Sequence, residues 1–159
     1  MAKIFILNGP NLNLLGEREP EIYGRTTLAD VETACLDYAA LLGVEIDFRQ
    51  TNHEGVLVDS IHEARKAADA IVINPAGCSF HSISVLDALK TFDAPIVELH
   101  ISNIHARDEY HRHSIISTVA TGVICGLGVY GYMVALQAAV RMIGAMPESL
   151  PEPIRVGPR

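Results

Sequence analysis

Apolar runs of strand length alternate along this chain with stretches in which apolar residues recur every three or four positions. Lys3 to Asn8, Val44 to Gln50, Ala70 to Asn74, Ile96 to Ile101 and Val123 to Cys125 read as strands. Leu28, Val31, Cys35, Tyr38 and Leu42 mark a first helix, with Thr26 or Thr27 as N-cap and Gly43 as its stop. Leu57, Ile61, Ala64 and Ala68 mark a second. Ser79 reads as the N-cap of a third, with Ile83, Leu86 and Leu89 on its inner face, and a fourth runs from Val129 to Ala145.

Strict alternation of this kind predicts an α/β protein: a flavodoxin-like doubly wound five-stranded parallel sheet with helices on both faces. Residues 1–145 form one catalytic domain in this reading, and 146–159 are a Pro-rich tail expected to be a poorly ordered arm. In doubly wound sheets ligands bind outside the carboxyl ends of the strands, where the strand order reverses. The segments to watch are therefore Asn8 to Tyr23, Asn74 to Phe80 and Glu98 to Ser102. The first belongs to a connection of about 18 residues with no helical or strand period, a length that in a compact domain points to function or mobility.

Composition narrows the class. The 159 residues are 49% hydrophobic and 19% charged, far from the composition of disordered chains. Twelve Lys and Arg against 19 Asp and Glu give a net charge of −7, which argues against a nucleic-acid partner. Ser114 to Val140 carries no Asp, Glu, Lys or Arg and is long enough to cross a bilayer. Four glycines and several Thr, Tyr and Gln residues interrupt it, so it reads as a buried strand followed by a helix, with no membrane partner. Cys35, Cys78 and Cys125 form no CxxC pair, which leaves neither a disulfide framework nor a zinc ribbon. The N-terminal apolar stretch is too short for a signal peptide, and a cytoplasmic protein is the expectation.

Several groups carry candidate chemistry. Gly126, Gly128 and Gly131 match GxGxxG, but no second strand with a terminal acid follows the helix, and close packing of that helix on the sheet is the better reading. His105, His111 and His113 lack the spacing of a metal shell, so substrate or interface contacts are expected there and no metal. Glu98 and His100, two apart in a strand, leave on one face; a carboxylate beside an imidazole suits a general acid or base, or is a satisfied buried pair. The backbone N–H groups of Ile101, Ser102 and Asn103, at an expected helix N-terminus, could hold a carboxylate or phosphate. Arg18, Tyr23 and Arg25 share the long loop. Lowering a phenol by two to three pKa units needs roughly 3–4 kcal/mol. A guanidinium about 4 Å away, at an effective dielectric of about 20, supplies that much.

The motifs NGPNLNLLGEREPEIYG, INPAG, VELHISNIHAR, HRHS and ATGVICGLGVYGY, in that order, resemble the type II 3-dehydroquinate dehydratases over nearly the whole chain. The resemblance implies a cofactor-free, metal-free elimination of water from a cyclic hydroxy-ketone acid through an enolate. By it, Tyr23 matches the base, Arg18 the residue that lowers its pKa, His100 the acid that protonates the departing hydroxyl, and Glu98 the orienter of His100. Asn11 matches the residue holding a water at the enolate oxygen; Asn74, Ile101 and Ser102 match substrate-holding residues; Arg107 lies near the tyrosine. Asp87 matches an acid reaching a neighbouring subunit's site, and the family typically forms dodecamers built from trimers. Two positions depart from the pattern: Phe80 stands where the family has His, with His81 beside it, and His111 stands where it has Arg, with Arg112 beside it.

The expected function is dehydration of 3-dehydroquinate to 3-dehydroshikimate, in biosynthesis or quinate breakdown. One alternative is a related lyase acting on another small hydroxy or keto acid, motivated by Phe80 and His111. A second is a non-catalytic binding protein on the same fold.

Overall fold

The computed structural model describes residues 1–151 apart from Arg18, and leaves the side chains of Ile22 and Tyr23 undescribed. Arg18, the Tyr23 side chain and residues 152–159, on which expectations rested, therefore lie outside the described residues. Five strands, β1 (Lys3–Asn8), β2 (Glu45–Gln50), β3 (Ala70–Asn74), β4 (Ile96–His100) and β5 (Gly122–Cys125), pair in parallel in the order β2-β1-β3-β4-β5. The helices are α1 (Pro20–Tyr23), α2 (Leu28–Leu42), α3 (Glu54–Ala67), α4 (Ile83–Lys90) and α5 (Gly131–Met142). This is the doubly wound sheet that the apolar pattern predicts, with its order reversing between β1 and β3.

Alternate strand residues feed two cores. Ile4, Ile6, Ala70, Val72, Val97 and Leu99 pack under α2 and α5, and Phe5, Leu7, Ile71, Ile73 and Ile96 pack under α3 and α4. Helix α2 starts where a capping box fixes it: the Asp30 N–H donates to Thr27 Oγ1 and the Thr27 N–H to Asp30 Oδ2. Gly43, at φ 70°, ends it in the left-handed region. Burial pushes the Cys35 thiol up to about 12, consistent with a purely packing role.

Four expectations need correction. Ser79 does not cap α4, because a 3-10 turn over Ala76–Phe80 delays the helix; Ser82 caps it, accepting from the Val85 N–H at 3.1 Å. That phase buries Val85, Ala88 and Leu89 and turns Ile83 outward, 59% exposed. The long connection is not structureless: it holds a 3-10 turn at Leu12–Leu14 and the short α1, and Leu12 and Leu15 are buried in the α2/α5 core. Helix α5 spans Gly131–Met142, not Val129 to Ala145, since a 3-10 turn at Gly128–Tyr130 precedes it. In the described part of the tail, Met146 and Leu150 pack against the α2/α5 core, so that part is docked.

Glycine 131 explains the GxGxxG spacing. A Cβ there would lie 2.8 Å from Leu99 Cδ1, so the glycine lets α5 settle on β4. No helix among the described residues is long and apolar enough to cross a membrane.

Candidate active site

The carboxyl ends of β1, β3 and β4 and the loops that leave them enclose a cavity of about 140 Å³. Pro10, Asn11, Leu12 and Leu15 come from the first loop, Asn74, Ala76, Gly77 and Phe80 from the second, and His100, Ile101, Ser102, Ile104, Arg107 and His111 from the third. The strand-end rule singled out the first two of these segments and the third as far as Ser102; Ile104, Arg107 and His111 lie beyond it. Backbone strain gathers here, with Asn11 at φ 69° and Ala76 at φ 51° in the left-handed region. The first two loops touch closely. The Gly9 N–H donates to Asn74 O at 2.9 Å, and a Cβ on Gly9 would stand 2.5 Å from Pro75 O.

The chemistry of the site rises from β4. Glu98 and His100 are both buried, and His100 Nε2 is hydrogen-bonded to Glu98 Oε2. The other carboxylate oxygen accepts from Ser117 Oγ at 2.7 Å, so both are engaged. Burial alone would push the Glu98 carboxyl up; the hydrogen bond and charge of His100, with the hydroxyl of Ser117, outweigh it and hold the carboxyl below its usual range. Glu98 is thus an anion at neutral pH, and it fixes the His100 ring with one nitrogen against it. Of the sequence's two readings of this pair, the pair opens on a cavity and is therefore available to a ligand.

Asn74 is held from beneath. Tyr132, fully buried on α5, donates from its hydroxyl to Asn8 Oδ1 at 2.6 Å and accepts from Asn74 Nδ2 at 3.0 Å. Asn8 Nδ2 in turn donates to Arg49 O at 2.9 Å, and Asn74 Oδ1 accepts from the Ala76 N–H at 3.3 Å. Burial raises the Tyr132 phenol, which keeps it neutral and a donor. Each Asn74 head atom retains capacity for a ligand: a second hydrogen on Nδ2 and a second lone pair on Oδ1.

Among the residues that the sequence singled out, Asn11, Asn74, His100, Ile101, Ser102, Arg107 and His111 meet at the cavity, with Glu98 behind His100. His81, Asp87 and Arg112 do not line it. Phe80 turns inward, and His81, the next residue, emerges outside and exposed. Asp87 lies on the outer face of α4, 3.9 Å from Lys90, and Arg112 follows His111 on the exposed side of its turn. His105 and His113 are exposed. No helix N-terminus follows His100; Ile104–Ala106 is one 3-10 turn, capped by Asn103 Oδ1 accepting from the His105 N–H. Sequence reasoning missed Tyr132, Asn8 and Ser117. No group of three His, Cys, Asp or Glu among the described residues is placed to hold a metal ion.

A carboxylate-oriented imidazole at the switch point of a doubly wound sheet, facing amide and guanidinium groups in a small cavity, defines an acid–base site for a small polar metabolite. The profile described as Dehydroquinase class II matches residues 2–140, and the chain belongs to that family. It is 56% identical over 142 residues to the 3-dehydroquinate dehydratase of Caulobacter vibrioides, covering 89% of this chain and 97% of that one. It is also 56% identical over 140 residues to the catabolic 3-dehydroquinase of Verticillium alfalfae, covering 88% and 93%. Among solved structures, the type II dehydroquinase from Propionibacterium acnes superposes with a TM-score of 0.83 at 44% identity, over 87% of this chain and 95% of that one.

Proposed function

We propose that this chain is a type II 3-dehydroquinate dehydratase, a hydro-lyase that removes water from 3-dehydroquinate to give 3-dehydroshikimate. Family membership and relatives of that name support the substrate. The observation that carries the chemistry is the buried Glu98–His100 pair opening on the cavity. Tyr23, as phenolate, takes the proton beside the ketone, and the C–H electron pair becomes the enolate. The enolate then collapses: a C=C bond forms, the C–O bond to the departing hydroxyl breaks, and His100 gives that oxygen a proton so that water leaves. Tyr23 ends protonated and His100 neutral, so one proton returns from the first to the second before the next turnover.

Glu98, hydrogen-bonded to Nε2, holds the His100 ring in place for that transfer. Arg18 favours the phenolate, Asn11 holds a water at the enolate oxygen, and Asn74 with Ile101 and Ser102 holds substrate hydroxyls and carboxylate. Arg107 adds a cation to the same wall. Phe80 and His111 are, in this reading, tolerated variations of the binding wall. The resemblance extends to assembly: a dodecamer built from trimers, with Asp87 directed to a neighbouring subunit, which light scattering on a sizing column reads directly.

The deciding experiment mixes purified protein with 3-dehydroquinate, with and without EDTA, and follows the ultraviolet absorbance of the conjugated enone. Rapid, EDTA-insensitive turnover is expected, abolished in Tyr23→Phe; in His100→Ala, loss of water slows far more than proton exchange beside the ketone. A folded protein silent toward 3-dehydroquinate overturns the assignment.

A further inference from the structure

The cavity wall carries a second imidazole–carboxylate pair. His111 lines the cavity, and its Nδ1 stands 2.9 Å from each oxygen of Asp108. A carboxylate only accepts, so Nδ1 carries the hydrogen, and in the neutral ring Nε2 is left with a lone pair. Nε2 has no hydrogen-bond partner among the described residues. The ring is held in a second direction by Phe80, whose ring meets it edge-on with centroids 5.5 Å apart at 76°. The same Phe80 ring lies 6.3 Å from that of His100 at 28°, and so touches both imidazoles. The bond from His111 is the main reason that the Asp108 carboxyl sits below its usual range.

We propose that Asp108 is a positioning residue for substrate binding: it fixes the His111 ring so that Nε2 accepts a hydrogen bond from a hydroxyl group of the substrate. The inference rests on the reading of this cavity as the 3-dehydroquinate site. The first pair, buried, serves the reaction. The second, with the His111 side chain 40% exposed and that of Asp108 56% exposed, serves recognition. Phe80 offers no polar atom, so of these two touching rings only that of His111 can bond a substrate hydroxyl.

Asp108 also accepts from the Tyr110 N–H at 2.8 Å and so caps its own turn. Asp108→Ser keeps a capping oxygen and removes the carboxylate from His111, which separates the two roles. Steady-state kinetics with 3-dehydroquinate should show KM raised about tenfold in Asp108→Ser, with kcat moved less than twofold. Asp108→Asn, which retains an acceptor for Nδ1–H, should recover most of that loss. His111→Leu should raise KM as much, and Asp108→Ser added to it should change KM by less than about twofold, because the carboxylate acts only through the ring. An unchanged KM in Asp108→Ser, additive effects in the double variant, or a loss borne by kcat overturns the inference while leaving the dehydratase assignment intact. A wild-type protein without turnover overturns both.

Discussion

Replacing Tyr132 by Phe removes one oxygen atom from the centre of the molecule and tests how the site is built on the core. The hydroxyl bridges the side chains of Asn8 and Asn74, which are register partners on β1 and β3. Both are buried, Asn8 beneath the cavity and Asn74 at its wall. A buried polar group left unsatisfied costs about 1–3 kcal/mol, and two are created here. Asn8 keeps its bond to Arg49 O and Asn74 its bond from Ala76, so the lower part of the range applies, about 2–4 kcal/mol in all. For a chain of this size that lowers Tm by about 4–16 °C. Tyr38→Phe is the control: its hydroxyl donates to Gln137 Oε1 at 2.9 Å in a half-buried place, and it should cost at most about 1 kcal/mol. Thermal and urea unfolding at one fixed protein concentration read both, so that assembly does not enter the comparison. Because Asn74 lines the cavity, KM for 3-dehydroquinate should also rise in Tyr132→Phe. If Tyr132→Phe costs no more than Tyr38→Phe, the network does not bear on stability and the reasoning fails.

Ser117→Ala removes a donor from the ionised Glu98, so the carboxyl rises toward its usual value. A depressed carboxyl stabilises the fold above its unfolded pKa, about 4.3, and loses that contribution as pH falls through the folded value. The variant should therefore unfold at a higher pH in an acid titration, with the acidic limb of its kcat profile shifted upward and Ser117→Thr restoring both. Gly9→Ala sets a Cβ 2.5 Å from a backbone oxygen that no rotamer change can move. It should cost about 1–3 kcal/mol in urea unfolding. By spreading two cavity loops it should also lower kcat/KM at least tenfold, and near-normal kinetics would show that the approach is dispensable.

The fold was legible because buried parallel strands such as Ile71–Ile73 read as unbroken apolar runs, and because Thr27, Asp30 and Gly43 write both ends of α2 in local chemistry. The start of α4 was not, since Ser79 and Ser82 are equally competent caps and only the packing of a 3-10 turn chooses between them. At the site, Glu98 and His100 were readable from a spacing of two. Tyr132 was not: in an apolar helix it reads as core, and its partners lie 58 and 124 residues away. Ser117 sits in a charge-free run with nothing local to tie it to Glu98. Phe80 and His111, noted separately as departures from one pattern, prove to be a single contact in space.

The span of the Tyr132 bridge bears on how the protein comes into being. Asn8 leaves the ribosome 124 residues before the hydroxyl that satisfies it. At about 5–20 residues per second that interval is on the order of 6–25 s. During it, β1 and β3 can meet, but their amide side chains stay wet and the floor of the cavity stays open. Completion of α5 supplies the hydroxyl that joins them, so a chain stalled before residue 132 has its strands without the bridge that holds Asn74 from beneath.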